Sequence, residues 1–153
     1  MLTIEWDDYH LMLRTLDRSI MSRFKNVSEN KKIHLLAVPR GGTLIALHLT
    51  YLNPRYYAHF DAFETKQNLN SENTLVIDDV LETGKTRVKL MNQFNLQTLQ
   101  YFAVLVDKST FYSVPPADIA VITLNAKVWV QFPYEREEDE KEQKSKQERG
   151  YAG

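Results

Sequence analysis

Two adjacent carboxylates, followed by a short loop of hydroxyl, glycine and lysine residues, are the part of this sequence best suited to chemistry. Asp78 and Asp79 follow the apolar run 74–77, and the string Glu82-Thr83-Gly84-Lys85-Thr86 comes two residues later. Adjacent carboxylates are costly to desolvate unless a cation or hydroxyl donors meet them, as ribose hydroxyls and hydrated Mg²⁺ can. A helix that starts after Gly84 would offer unpaired N–H groups to a phosphate. The segment 74–86 therefore predicts a site for a phosphorylated sugar.

A second loop with the character of an anion site follows the apolar run 33–38. It reads Pro39-Arg40-Gly41-Gly42. A glycine pair at a strand end lets backbone amides point at an anion, and the Arg40 guanidinium adds a charged fork. Taken alone, the same residues also fit a plain turn after a strand.

The elements that must position these loops alternate along the chain. Apolar runs of strand length occupy 33–38, 74–77, 100–106 and 119–124, with a further strand predicted within 55–63 and a short one at 128–130. Helices are predicted from a cap at Asp7 or Asp8 to about residue 25, at 43–52 and at 85–94. This order predicts an α/β fold with an open, mostly parallel sheet and helices on both faces. Ligands of such sheets lie beyond the carboxyl ends of the strands, where both loops begin.

Composition bounds the class of protein. The chain has 153 residues, no cysteine and a formal net charge of -1, and no apolar run is long enough to span a membrane. We expect a soluble cytoplasmic protein with neither nucleic acid nor a membrane as partner. Residues 1–135 are predicted to form one domain, and residues 136–153 a charged tail that is helical or disordered.

The string from residue 75 to residue 86 resembles the motif with which type I phosphoribosyltransferases bind 5-phosphoribosyl 1-pyrophosphate (PRPP). The resemblance implies that Asp78 and Asp79 face the ribose hydroxyls, directly or through Mg²⁺ and water, and that the loop 82–86 wraps the 5′-phosphate. It also implies that Arg40, Gly41 and Gly42 form a pyrophosphate loop, with a cis peptide between Pro39 and Arg40.

Two later segments resemble the base-recognition elements of xanthine–guanine phosphoribosyltransferases. They are Val104-Leu105-Val106-Asp107-Lys108 and the segment that starts at Val128-Trp129-Val130. The resemblance implies that Lys108 donates to the 6-oxo oxygen of a purine, that Trp129 stacks on the ring, and that Val130 presents backbone groups to its edge. These residues would belong to a small C-terminal hood for the base. Taken singly, such residues are more often a surface lysine and a core tryptophan, and it is their order after the PRPP motif that favours base recognition.

Two features depart from that family. Glu82 stands where the purine enzymes usually have an aspartate assigned as the general base, and the loop 61–73, which closes over the reaction centre in the family, is short here. With Asp78, Asp79 and Glu82 as catalytic residues, the implied reaction transfers ribose 5-phosphate from PRPP to xanthine, guanine or hypoxanthine and releases pyrophosphate, in purine salvage. The alternatives are a phosphoribosyltransferase for another acceptor and a non-catalytic regulator that binds PRPP or a nucleotide. The resemblance further implies a homo-oligomer, a dimer or a tetramer.

Overall fold

A computed structural model describes residues 1–25, 27–64, 69, 71–94, 101–135, 141, 144–145 and 148–149. Its elements follow in the order β1 (Leu2–Thr3), α1 (Trp6–Arg23), β2 (Ile33–Ala37), α2 (Gly41–Leu52), β3 (Tyr57–Asp61), a 3₁₀ turn (Ser71–Asn73), β4 (Thr74–Leu81), α3 (Lys85–Gln93), β5 (Tyr101–Asp107), α4 (Ser109–Tyr112), β6 (Ile119–Thr123) and β7 (Val130–Gln131). Helices and strands alternate, as the sequence predicted.

Five strands form one parallel sheet in the order β3-β2-β4-β5-β6. The three inner strands, β2, β4 and β5, are almost entirely buried over their apolar stretches. Apolar side chains on both faces are what a parallel sheet covered on two sides requires. The predicted α/β class with a parallel sheet is confirmed.

Helices pack against both faces of this sheet. On one face Leu90 of α3 joins a core cluster with Leu36 of β2 and Val76 of β4. On the other face the Tyr57 hydroxyl of β3 donates to Asp17 Oδ1 of α1 at 2.7 Å. Asn53, at the end of α2, donates to both oxygens of the same carboxylate at 2.8 and 2.9 Å. Asp17 therefore ties α1 and α2 to one side, opposite α3.

Several predicted element boundaries were wrong. Helix α2 begins at Gly41 and not at residue 43, so both glycines of the predicted loop lie in its first turn. Strand β4 runs to Leu81, so Asp78 and Asp79 lie within the strand and not after its end. The ladder continues because β5 is long enough to pair Val80 with Val106 and Leu81 with Asp107. Helix α1 begins at Trp6, which places Asp7 and Asp8 in its first turn and not at its cap. Carboxylates in the first turn still stabilise a helix through its dipole.

The chain divides into two compact units, residues 12–126 and a smaller unit of residues 1–11 with 127–153. In the smaller unit β1 pairs in parallel with β7, and Leu2 N donates to Trp129 O at 2.8 Å. Strand β1 was not predicted. The domain boundary at residue 135 stays a prediction, since most of the tail lies outside the described residues.

The loop 61–73 is described only in part. It begins with a turn in which the Phe63 and Glu64 amides donate to Asp61 Oδ1 at 2.8 and 3.2 Å. Residues 65–68 and 70 lie outside the described part, so its predicted closing motion stays a prediction. Among the described residues, no helix combines the length and the apolar character needed to cross a membrane.

Candidate functional site

The loops that follow β2, β4 and β5 share one edge of the sheet. The three strands are neighbours and parallel, so their carboxyl ends lie side by side. This is the edge at which α/β sheets bind ligands. The two anion loops and Lys108 were predicted from the sequence to follow these same strands.

The loop after β2 packs directly against the acidic pair of β4. The Pro39–Arg40 peptide is cis, as the resemblance implied. A Cβ atom at Gly41 would overlap the Asp79 carboxylate, and one at Gly42 would overlap the carbonyl oxygen of Ile77. The β4 backbone therefore requires glycine at position 42, and a side chain at position 41 would displace the Asp79 carboxylate. The start of α2 thus lies directly against β4.

The two carboxylates of β4 point to opposite faces of the strand, because successive strand residues alternate. Asp79 contacts Gly41, whereas Asp78 lines a cavity on the side of α3. Asp79 N donates to Asp78 Oδ1 at 2.9 Å, and Val80 N donates to Asp79 Oδ1 at 2.8 Å. Burial raises the pKa of Asp78 to about 8, and the adjacent Asp79 carboxylate adds to the shift. At neutral pH the pair therefore holds a proton until a cation or hydroxyl donors replace it.

The loop after β4 surrounds a cavity of about 170 Å³ at the start of α3. All five residues predicted for the phosphate line it, namely Glu82, Thr83, Gly84, Lys85 and Thr86. Gly84 has φ 74°, a left-handed conformation that favours glycine, and it directly precedes the helix. The first amides of α3 thus border a small polar cavity, which suits one phosphate group.

Arg87 also lines this cavity, and the sequence did not single it out. Its guanidinium donates to Pro116 O at 2.7 Å and lies 3.6 Å from Asp118 Oδ2. The signal available in the sequence was its place in the first turn of the helix that follows the phosphate loop.

Lys108 lies directly after β5 and forms an ion pair with Glu82. Its side chain is only 4% exposed, whereas that of Glu82 is 43% exposed. The Lys108 amide donates to Leu81 O at 2.7 Å, which fixes the two strand ends to each other. The residues predicted to recognise the 6-oxo group and to accept the proton are thus in contact.

Asp107 holds the turn that contains Lys108, and it is a second residue that the sequence analysis did not single out. It is 2% exposed and accepts hydrogen bonds from Ser109 N at 2.8 Å and from Ala117 N at 2.9 Å. One carboxylate thereby closes the segment between β5 and β6 into a fixed loop. An acidic residue at the end of a buried strand was the available signal.

Trp129 and Val130 belong to the smaller unit. The Trp129 side chain is 70% exposed, and Val130 is buried in β7. The bonds from β1 reach the carbonyls of Trp129 and Gln131, so the N–H and C=O of Val130 point to the other edge of β7. A large exposed indole beside an outward-pointing backbone is available for stacking.

The described residues contain no group of three or more histidine, aspartate or glutamate side chains that could enclose a metal. Two neighbouring carboxylates still fit Mg²⁺, which is commonly bound by one or two carboxylates together with waters and the phosphates of a substrate. Burial and the adjacent Asp79 carboxylate raise the pKa of Asp78, and a cation beside the pair would favour the ionised form.

Comparisons with known proteins agree on the fold. No protein-family model matches the chain, and no curated protein matches it by sequence. Among solved structures, a purine phosphoribosyltransferase from Pyrococcus horikoshii is similar with TM-score 0.63 and 20% identity over 87% of this chain and 92% of that one. A Helicobacter pylori xanthine–guanine–hypoxanthine phosphoribosyltransferase has TM-score 0.67 and 19% identity over 94% and 98%. A hypothetical protein from Neisseria gonorrhoeae with bound ppGpp has TM-score 0.62 and 17% identity over 87% and 89%. The chain therefore has the fold of the purine phosphoribosyltransferases, as the sequence predicted.

Proposed function

We propose that this protein transfers ribose 5-phosphate from PRPP to a 6-oxopurine, xanthine, guanine or hypoxanthine, and releases pyrophosphate, as an enzyme of purine salvage. The observation that carries the proposal is the meeting of three loops at one sheet edge. Gly41 contacts Asp79, the 82–86 loop encloses a small cavity beside Asp78, and Lys108 pairs with Glu82. The absence of cysteine fits a reducing cytoplasm.

The loop 82–86 would hold the 5′-phosphate of PRPP. The first amides of α3 and the Thr83 and Thr86 hydroxyls donate to its oxygens, and Lys85 adds charge. Arg40, with the backbone of Gly41 and Gly42, would hold the pyrophosphate. Asp78 and Asp79 would bind the hydroxyls of the ribose, which joins the 5′-phosphate to the pyrophosphate.

Mg²⁺, when bound, would neutralise charge on the pyrophosphate as it leaves. Asp78 and Asp79 would hold the ion, directly or through water. The chain's own residues account for the remaining tasks of the reaction.

In the reaction a bond forms between a purine nitrogen and C1′ of the ribose, while the bond from C1′ to the pyrophosphate oxygen breaks. The proton on the purine nitrogen passes to the Glu82 carboxylate. Lys108 donates to the 6-oxo oxygen, and Trp129 stacks on the ring with Val130 at its edge. A lysine donor matches an oxo group and not the 6-amino group of adenine.

The test mixes the protein with PRPP, Mg²⁺ and each of xanthine, guanine, hypoxanthine and adenine, and follows nucleotide and pyrophosphate. We expect turnover with at least one oxo base and little with adenine. Lys108→Met should raise KM for that base at least about tenfold and leave KM for PRPP unchanged. No turnover with any oxo base at high enzyme concentration would overturn the purine assignment.

A regulator that binds PRPP or a nucleotide without chemistry is the second candidate. The ion pair favours it, because Lys108 occupies the Glu82 carboxylate that would have to accept the proton. The Neisseria gonorrhoeae protein, whose structure holds ppGpp, shows a guanine nucleotide bound on this fold. Calorimetry that detects PRPP or ppGpp binding in a protein without turnover would select this function.

The third candidate function is that of a phosphoribosyltransferase for a pyrimidine or another small acceptor. In that case Lys108→Met should leave turnover with the true acceptor largely intact. Turnover with a pyrimidine and none with oxopurines would establish it.

A further inference from the structure

A second polar cavity lies at the opposite end of β4 and β5 from the candidate site. It has a volume of about 350 Å³ and is formed where α1 ends at Arg23 and where β4 and β5 begin, at Thr74 and Tyr101. The two strands pair in parallel, so their first residues lie side by side. All the residues that line this cavity belong to the larger unit, 12–126, and none of them lines the phosphate cavity at the start of α3.

The wall of this second cavity carries more positive than negative charge. Arg23, Lys25 and Lys31 contribute cations and Glu72 one carboxylate, although the chain as a whole has a formal net charge of -1. Lys31 Nζ lies 3.4 Å from Glu72 Oε2, and both side chains are well exposed, so the ion pair is weak and a phosphate can compete for the lysine. Charges of one sign that line a cleft attract a ligand of the opposite sign.

The aromatic part of the wall holds Arg23 in place. Its guanidinium carbon lies 5.0 Å from the centre of the Tyr101 ring, and Phe24 meets the same ring edge-on with the two ring centroids 5.2 Å apart. A guanidinium that stacks on a ring keeps its N–H groups in the plane, where they suit a bidentate contact with phosphate. Val27 adds a further apolar side chain to the wall. The cavity therefore presents an apolar surface together with its cations.

Asn73 adds a hydrogen-bonding group to the wall. The residue is 7% exposed, and its Nδ2 donates to Lys32 O at 2.6 Å. Within the described part of the chain, no group donates to its buried Oδ1. Buried acceptors are rarely left without a donor, and a hydroxyl group of a ligand would supply one.

We propose that this cavity is a second binding site, which takes a nucleoside phosphate. Cations alone would suit inorganic phosphate, but this cavity has about twice the volume of the phosphate cavity at the start of α3 and is large enough for a small organic ligand. The phosphate of the ligand lies against Arg23, Lys25 and Lys31, and its base against the apolar side chains. The site shares no residue with the proposed reaction, so either proposal can fail without the other.

Calorimetry of the full chain with AMP, together with hydrogen–deuterium exchange, tests the proposal. AMP is the probe because the base site proposed for the reaction disfavours a 6-amino group. We expect a dissociation constant of at most about 100 μM for AMP, at least about tenfold below that of inorganic phosphate. Bound AMP should slow exchange in segments 23–31 and 71–74, which locates it at this cavity.

Arg23→Gln and Lys25→Gln should each raise the dissociation constant for AMP at least about tenfold, because each removes a charged donor to the phosphate. Lys25 is exposed, so its replacement still tests the site if Arg23→Gln, which also loses the ring contact, is unstable. Arg14→Gln is the matched control, since Arg14 is an exposed arginine of the same helix that does not line the cavity. It should bind AMP as the wild-type protein does.

Three results would overturn the proposal. The first is the absence of AMP binding at about 1 mM, and the second is inorganic phosphate that binds as tightly as AMP. The third is AMP that slows exchange only in segment 82–86 and binds equally well to both variants, since it would then occupy the candidate site alone.

Discussion

The contact between Glu82 and Lys108 joins two residues to which the proposed reaction gives different tasks. Lys108 is almost fully buried, and the Glu82 carboxylate is its ion-pair partner. In the proposed reaction, an oxopurine would compete with this carboxylate for hydrogen bonds from the Lys108 ammonium. An aspartate at position 82 would be one methylene shorter and would form a weaker ion pair with Lys108.

Glu82→Asp tests how much the Glu82–Lys108 ion pair weakens binding of the base. Opening an ion pair of this kind costs on the order of 1 kcal/mol, so the variant should lower KM for the accepted oxopurine about fivefold. KM for PRPP should not change, because the loop amides and threonines that hold its phosphate are untouched. Steady-state kinetics with each substrate varied in turn gives both values. Glu29→Asp, at an exposed residue in the turn between α1 and β2, is the control. A rise in KM for the base in Glu82→Asp would contradict the argument.

Asp78→Asn tests whether the raised pKa of Asp78 makes the stability of the protein depend on pH. The pKa of Asp78 is raised from 3.8 to about 8 in the folded protein, so from about pH 4 to pH 8 the unfolded chain ionises this group and the native protein does not. Ionisation then favours the unfolded chain, and wild-type stability falls across that window as pH rises. The asparagine variant lacks this effect. Its free energy of unfolding relative to wild type should therefore increase up to about pH 8 and then level off.

Urea denaturation without metal, from about pH 5 to about pH 9, measures this difference. The control is Asp8→Asn, at an exposed carboxylate in the first turn of α1, measured over the same pH range. If the free energy of unfolding of Asp78→Asn relative to wild type did not change with pH, Asp78 would be ionised in the native protein.

At the scale of elements, the close approach of α2 to β4 depends on Gly41. Alanine usually stabilises a helix relative to glycine, by roughly 0.5–1 kcal/mol. Here its Cβ would overlap the Asp79 carboxylate, so Gly41→Ala should instead lower the free energy of unfolding, by about 1–3 kcal/mol. It should also weaken pyrophosphate binding at least about tenfold, because the loop and the acidic pair are forced apart.

Chemical denaturation and calorimetry with pyrophosphate measure the two effects of Gly41→Ala. Thr43→Ala, two residues further along the same helix, is the matched control. A Gly41→Ala variant that is as stable as wild type and binds pyrophosphate equally well would show that α2 can move away from β4 without cost.

The same elements show what the sequence could predict. β2, the first part of β4 and β5 were predictable because strands buried on both faces are continuous apolar runs. The continuation of β4 through Asp78 and Asp79 was not, because it depends on the length of β5 beside it. The contact of Glu82 with Lys108 also follows from that register, which pairs Leu81 with Asp107. Strand β1 has two residues, and its partner β7 lies at the other end of the chain. Local sequence patterns carry no signal for such a pair.

At the scale of the whole molecule, the residues proposed for the two substrates are divided between two compact units. Those for PRPP, together with Glu82 and Lys108, lie within residues 12–126. Trp129 and Val130 lie in the unit formed by residues 1–11 and 127–153. In the smaller unit the first strand holds the segment that carries the indole, through Leu2 N to Trp129 O at 2.8 Å and Ile4 N to Gln131 O at 2.9 Å.

Ile4→Ala should therefore separate the two binding functions. Ile4 is 4% exposed, and its truncation should destabilise its own unit by about 2–5 kcal/mol. With β7 less firmly held, KM for the purine should rise about tenfold, because Trp129 and Val130 lose their fixed position. PRPP affinity measured by calorimetry should stay within about twofold of wild type, since its proposed residues lie in the larger unit. Thr3→Ala, at the exposed residue that directly precedes Ile4, should change neither value. If Ile4→Ala weakened PRPP binding as much as purine binding, the two units would fold and bind as one cooperative whole.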